Sequence, residues 1–189
     1  MESVGLKEWA IVCEALGRGE QSIILRKGGI AEGREGFGFQ QQDFFLFPTF
    51  FHEQVEKTRA SAIGIPPRRA DEIEINFFAK IEFSTLVTAW ETAVALEPFH
   101  ILQREVVRER FEYDAVPGIH IAFVRVLRLQ SSWVFPDAPG FGGCRSWVNL
   151  PAAPELKFEP VLSDDEHAQR LREFRALTNA TPQVTPSSR

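Results

Sequence analysis

From Glu72 to Phe83 the chain reads EIEINFFAKIEF, and this stretch limits the fold more than any other. Ile73, Ile75, Phe77, Ala79, Ile81 and Phe83 are apolar, while Glu72, Glu74, Asn76, Lys80 and Glu82 are polar; Phe78 alone breaks the rule. Successive side chains of a strand point to opposite faces, so this period of two predicts a sheet with one wet face. Three further runs join it. Ile23-Ile24-Leu25 in QSIILRK reads as a strand buried on both sides. FFLF at 44–47 reads as a strand stopping at Pro48, and GIHIAFVRVLRL at 118–129 as a central one. GCRSWVNL at 143–150 reads as the last strand.

Helical spacing appears between these runs. Leu6, Trp9, Ala10, Cys13 and Leu16 predict a helix ended by Gly17 and Gly19. Thr49 is placed to cap a helix over 50–60, Ser84 to start one through Leu96, and Pro98 to open another across 99–113. Ser163-Asp164-Asp165-Glu166 has the capping-box pattern, and the helix it opens carries Leu171, Phe174 and Leu177. Strands and helices without strict alternation predict an α+β fold. The expectation is one globular domain over 1–177, with a mixed or antiparallel, partly closed sheet and several flanking helices. The polar segment 178–189 is expected to be a disordered tail.

Charge narrows the function. Basic residues number 21 against 26 acidic ones, a net charge of −5. Generic coating of duplex DNA or of an anionic membrane draws on surplus Lys and Arg, so both are excluded in favour of a small shaped site. Neither Cys13 nor Cys144 has metal-ligand spacing, and no metal or other cofactor is expected. MESVGLKEW has neither the charged lead nor the apolar run of a secretory signal, and no apolar segment approaches the ~20 residues of a membrane span. The expected setting is cytoplasmic.

Four places can carry chemistry. Arg26 and Lys27 end a strand beside Gly28 and Gly29, where bare backbone lets a phosphate approach; the alternative is a solvated turn. Seven of the 17 Phe residues fall from Phe37 to Phe51. Most suit a core, with Phe37 and Phe39 expected at a cleft where bases could stack. PTFFHE sets His52 and Glu53 just beyond Thr49, an acid/base pair without the second His of a zinc motif. In GCRSWV, Arg145 and Trp147 share one strand face and could stack, while Cys144 as a nucleophile would need a partner such as His52 or His120.

LKEWAIVCEAL, GEQSIILRKGGI, FFLFPTFFHEQ and GCRSWVNL together resemble the bacterial family known as domain of unknown function 1802. The resemblance runs from about Leu6 to Leu177, with RKGGI and the Pro48-Thr49-x-x-His52 pattern as its firmest parts. Some members of that family stand beside Mrr-type restriction nuclease domains, which implies a link to nucleic acid and to restriction or defence. ALGRGEQSIILR is also similar to the opening of PUA-like domains of the ASCH group, small barrels that bind RNA or modified bases. Gly19 and Arg26 match that group's pattern, whereas Gln21 and Ile24 replace its Lys and Glu. The reading favours a binding module for nucleic acid or a nucleotide-like anion, using Arg26, Lys27, Gly28, Gly29, Thr49, His52, Arg145 and Trp147. One alternative is a metal-dependent phosphoester hydrolase built on His52 and Glu53. The other is a self-associating protein with an apolar patch over Phe37–Phe51.

Overall fold

A computed structural model of the chain describes residues 3–27, 38–59, 64–143 and 145–179. The elements are β1 (Val4–Trp9), α1 (Ala10–Gly17), β2 (Ile23–Arg26), β3 (Asp43–Thr49), β4 (Glu72–Val87), α2 (Trp90–Ala95), α3 (Arg104–Phe111), β5 (Ile119–Pro136), β6 (Trp147–Asn149), β7 (Phe158–Pro160) and α4 (Asp164–Asn179). The strands form one sheet in the order β2-β5-β4-β3-β1-β6, with β7 on the same edge of β5 as β2. β1 and β3 run parallel and every other pair antiparallel, so the α+β sheet is mixed. It is open among the described residues. Its curl nevertheless brings Arg26, at the end of the outermost strand β2, against Lys7 and Glu8 of β1.

Both faces of the sheet are covered. On one, helices α1 to α4 bury a core that includes Leu16, Phe44, Leu46, Phe77, Val107, Phe123 and Phe174. On the other, Phe45, Phe47, Ile73, Ile75, Trp133 and Phe135 pack under the 137–156 loops through Phe141, Leu150 and Leu156. The alternation expected of β4 holds, with Ile73, Ile75, Phe77 and Ala79 buried and Glu72, Lys80 and Glu82 exposed. Phe78, the exception in its alternation, packs edge-on against Phe45 in the second core. A register shift between Ile75 and Phe77 moves the odd-numbered residues from the second core to the first.

Several boundaries move. Leu6 belongs to β1, and α1 begins only at Ala10, because residues 4–9 are claimed by ladders with β3 and β6. β3 runs through Pro48 to Thr49; proline lacks an N–H, yet Glu8 and Pro48 still stand in register. No helix fills 50–60. A 3-10 turn at His52–Gln54 replaces it, and Thr49 Oγ1 donates to the Glu8 carbonyl at 3.0 Å instead of capping. Ser84 continues β4, and the stretch after Pro98 is a short 3-10 turn followed by α3. β7 follows β6, so β6 is not the last strand. The capping box forms as expected: Ser163 Oγ accepts from Glu166 N–H at 3.3 Å, and Glu166 accepts from Ser163 N–H at 3.1 Å. Thr178 and Asn179 end α4 and not a tail; the rest of that tail lies outside the described residues.

Two positions are sensitive. Gly17 closes α1 over the Phe77 ring, which a Cβ there would overlap, while Arg128 donates to the Gly17 carbonyl and covers the same ring. Gly17→Ala is expected to cost about 2 kcal/mol by overpacking, read from the urea midpoint. His100 is buried, its Nδ1 accepts from Leu102 N–H at 3.1 Å, and burial, helped by Arg59, pushes its pKa down to about 3. The unfolded chain protonates this imidazole near pH ~6.5 and the folded one only near 3, so the unfolded state binds more protons between those values. Stability contributed by neutral His100 is present above that window and is lost as pH falls through it, at about 1.4 kcal/mol per pH unit at most. Melting at about pH 7 and about pH 5 should show a steeper acid loss in the wild type than in His100→Asn.

Candidate anion-binding site

The ends of β1, β2 and β3 meet at one buried carboxylate. Glu8 is 2 % exposed although its strand lies between β3 and β6. One oxygen accepts the Trp9 N–H at 2.8 Å, at the head of α1, where partial positive charge of the helix favours an anion. The other lies 3.5 Å from the Arg26 guanidinium. Arg26 also donates to the Lys7 carbonyl, and its side chain is 17 % exposed. Arg110, from α3, donates to the Leu25 carbonyl at 2.7 Å and lies 4.8 Å over the Trp9 ring. Burial lowers the Arg110 pKa while the Glu8 charge raises it. Both guanidiniums lie in the field of the Glu8 carboxylate, and the Glu109 charge also acts on Arg110.

Neighbouring groups fix this corner. Gln54 is fully buried; its Nε2 donates to the Thr49 carbonyl at 2.7 Å and its Oε1 accepts the Ile11 N–H at 3.2 Å, so it ties β3 to the first turn of α1. Lys7 Nζ donates to the carbonyls of Gly142 and Gly143, each at 3.0 Å. Trp9 meets Phe51 edge-on at 5.0 Å, and Lys27 lies 3.8 Å over the exposed Tyr113 ring. Arg26 Nε and Trp147 Nε1 are buried donors without an acceptor among the described residues, as is His100 Nε2 away from this corner. The first two belong to residues flanking β1, since Trp147 pairs with Leu6 and Arg26 meets Lys7 and Glu8.

The sites expected from sequence separate into groups. Arg26 and Thr49 meet Lys7 and Glu8 directly, whereas Lys27 lies over Tyr113 and Trp147 sits beside Leu6 and Phe44. Gly28, Gly29, Phe37 and Cys144 lie outside the described residues. The Arg145–Trp147 stack does not form: Arg145 is exposed, and Trp147 packs edge-on against Phe44 at 5.3 Å because β6 turns it toward the helical core. His52 and Glu53 are both exposed, Glu53 paired only with Lys57 at 3.3 Å. No group of three His, Cys, Asp or Glu side chains suited to a metal occurs among the described residues. The Phe segment is core and not an apolar patch, with Phe44, Phe45 and Phe47 buried and Phe39 half-buried against the main core. Burial and the Glu8 and Glu14 charges raise the Cys13 thiol pKa well above its usual value, which makes it inert. Sequence reasoning missed Arg110 and Gln54. Neither carries a local signal, because each matters only through partners far along the chain.

Comparison with known proteins places this chain in a family. The description "Domain of unknown function (DUF1802)" matches residues 5–173, so the chain belongs to that family. Among solved structures it is similar to the ASCH protein of Zymomonas mobilis, at 11% identity over 91% of this chain and 94% of that one, with a TM-score of 0.47. A serine-to-alanine mutant of the same protein matches at 12% identity over 91% and 95%, with a TM-score of 0.46. A tyrosine-to-phenylalanine mutant matches at 12% identity over 92% and 98%, also at 0.46. No curated protein matches the sequence. Among the described residues no helix is long and apolar enough to cross a membrane.

Glu8→Gln keeps the shape of the buried side chain and removes its charge, leaving Arg26 and Arg110 without their counter-charge. Breaking a buried pair costs about 3–5 kcal/mol, and the partial exposure of Arg26 sets the expectation near the lower end, about 3 kcal/mol. Chemical denaturation checks this. A double-mutant cycle with Arg26→Gln should return a coupling of about 1 kcal/mol or more.

Proposed function

We propose that this protein is a binding module for nucleic acid or a nucleotide-like anion, with the ligand's phosphate at the Glu8–Arg26–Arg110 corner. The observation that carries the reading is Arg26. Its guanidinium is held by the Glu8 carboxylate and the Lys7 carbonyl, yet its buried Nε has no acceptor among the described residues. A phosphate oxygen would supply that acceptor in a charge-assisted bond. Lys27 over Tyr113 adds an exposed cation on an aromatic face, the pairing that receives a phosphate and a stacked base on a single strand. The net charge of −5 fits a focused contact of few phosphates over a long duplex track. Gly28 and Gly29 remain part of the proposal as the segment that follows these cations in sequence. The link to restriction or defence belongs to the same reading, as does a bacterial, cytoplasmic setting.

The test is fluorescence anisotropy with labelled single-stranded RNA, single-stranded DNA and duplex DNA at low and moderate salt. Lys27→Ala and Tyr113→Ala alter exposed groups and spare the buried pair, so they should fold while weakening binding about tenfold together. Lys27→Ala should also flatten the salt slope by about 0.7, the value for one single-strand phosphate contact. Absence of binding to all three polymers at low salt removes the reading.

A further inference from the structure

A second cavity lies away from the Arg26 corner, at the opposite end of β3. It measures about 760 Å³, within the ~300–1,000 Å³ typical of small-molecule sites. Its apolar wall is a chain of three rings. Phe45 meets Phe78 at 4.9 Å and 68°, and Phe78 meets Phe158 of β7 at 5.3 Å and 48°. Phe158 is 39 % exposed, one of the few large apolar side chains left open among the described residues.

The rim is polar and carries amides. Gln40, Gln41 and Gln42 follow one another into Asp43, and all four are exposed. This rim is anchored, since the Gln42 carbonyl accepts the Ile81 N–H at 2.8 Å. Across the cavity Ser3 is fixed by Leu150 N–H on its carbonyl at 2.8 Å and Ala153 N–H on its Oγ at 3.3 Å, which leaves its hydroxyl proton free to donate. Asp43 makes no ion pair among the described residues, although Lys80 stands opposite it in β4. The lining holds one carboxylate and neither Lys, Arg nor His. An anion gains nothing from such a wall.

We infer that this cavity takes an uncharged nucleobase bearing an exocyclic amino group, stacked on the Phe78–Phe158 wall with its amine directed to Asp43. Aromatic faces accept any base, and carboxamides offer both donor and acceptor to a base edge. A carboxylate accepts N–H and repels a carbonyl oxygen, so Asp43 distinguishes an amino group from an oxo group at the same ring position. The inference does not rest on the Arg26 site, from which the cavity shares no residue.

Cytidine and uridine differ at that position and at the adjacent ring nitrogen, a bare acceptor in cytidine and an N–H in uridine, and are the probes, titrated against the full chain by calorimetry. Cytidine is expected to bind about tenfold tighter than uridine, the effect of one good polar contact to a base edge. Asp43→Asn should abolish the difference, and Phe158→Ala should weaken both nucleosides about fivefold or more through lost stacking. Thermal melts confirm that both variants, altered at exposed positions, stay folded. Lys27→Ala should leave cytidine affinity unchanged, which separates this site from the phosphate corner. Oligocytidylate binding far tighter than cytidine, with the same loss in Phe158→Ala, assigns the base to a strand; equal affinity assigns it to the free nucleoside. Equal affinity for cytidine and uridine, no measurable binding of cytidine, or cytidine binding that survives both variants overturns the inference.

Discussion

Burial on both faces of one sheet is the constraint from which the rest of the molecule follows. A strand with a core above and another below cannot hand its polar residues to water, so any charge it carries has to be answered inside. β3 obeys by being almost wholly aromatic and aliphatic, sending Phe44 and Leu46 to the helices and Phe45 and Phe47 to the loop-covered side. β1, its parallel neighbour, carries Lys7 and Glu8, and each receives its own partners: backbone carbonyls of Gly142 and Gly143 for the lysine, Arg26 and the head of α1 for the glutamate.

The Glu8 corner shows how such an answer is assembled. A carboxylate alone would have been satisfied by one guanidinium. The curl of the sheet delivers Arg26, and α3 adds Arg110, which feels both Glu8 and Glu109. Arg26 and Arg110 are thereby held in place close to half-buried Trp9, their ordering completed during folding. Gln54 makes this possible at a distance, because it locks the end of β3 to α1 and fixes the angle at which Glu8 meets its partners.

What could be read from the chain follows the range of the forces involved. Ile23–Leu25, the alternation after Glu72 and the Ser163–Glu166 box are local signals, and each marks the element found there. The helix expected from Leu6 failed because its apolar spacing is shared with a strand paired on both sides, and pairing with residues some forty and 140 positions away outweighs local periodicity. Thr49 failed as a cap for the same reason, its hydroxyl being taken by Glu8. Phe78 was the informative blemish: one apolar residue on the polar side of an alternating strand already marked the second core. Of the site, the cations Arg26 and Lys27 were legible at a strand end, whereas Arg110 enters only through tertiary packing.

The position of β1 between β3 and β6 has a consequence for the chain as it is made. Val4–Trp9 is synthesised well before Trp147–Asn149, the strand that pairs its outer edge among the described residues. At roughly 5–20 residues per second, some 140 residues of synthesis keep that edge open for about 7–30 seconds. Lys7, unusual in a central strand, then acts as its own guard: a lysine on a bare strand edge discourages pairing with another chain until the Gly142–Gly143 turn arrives to receive it.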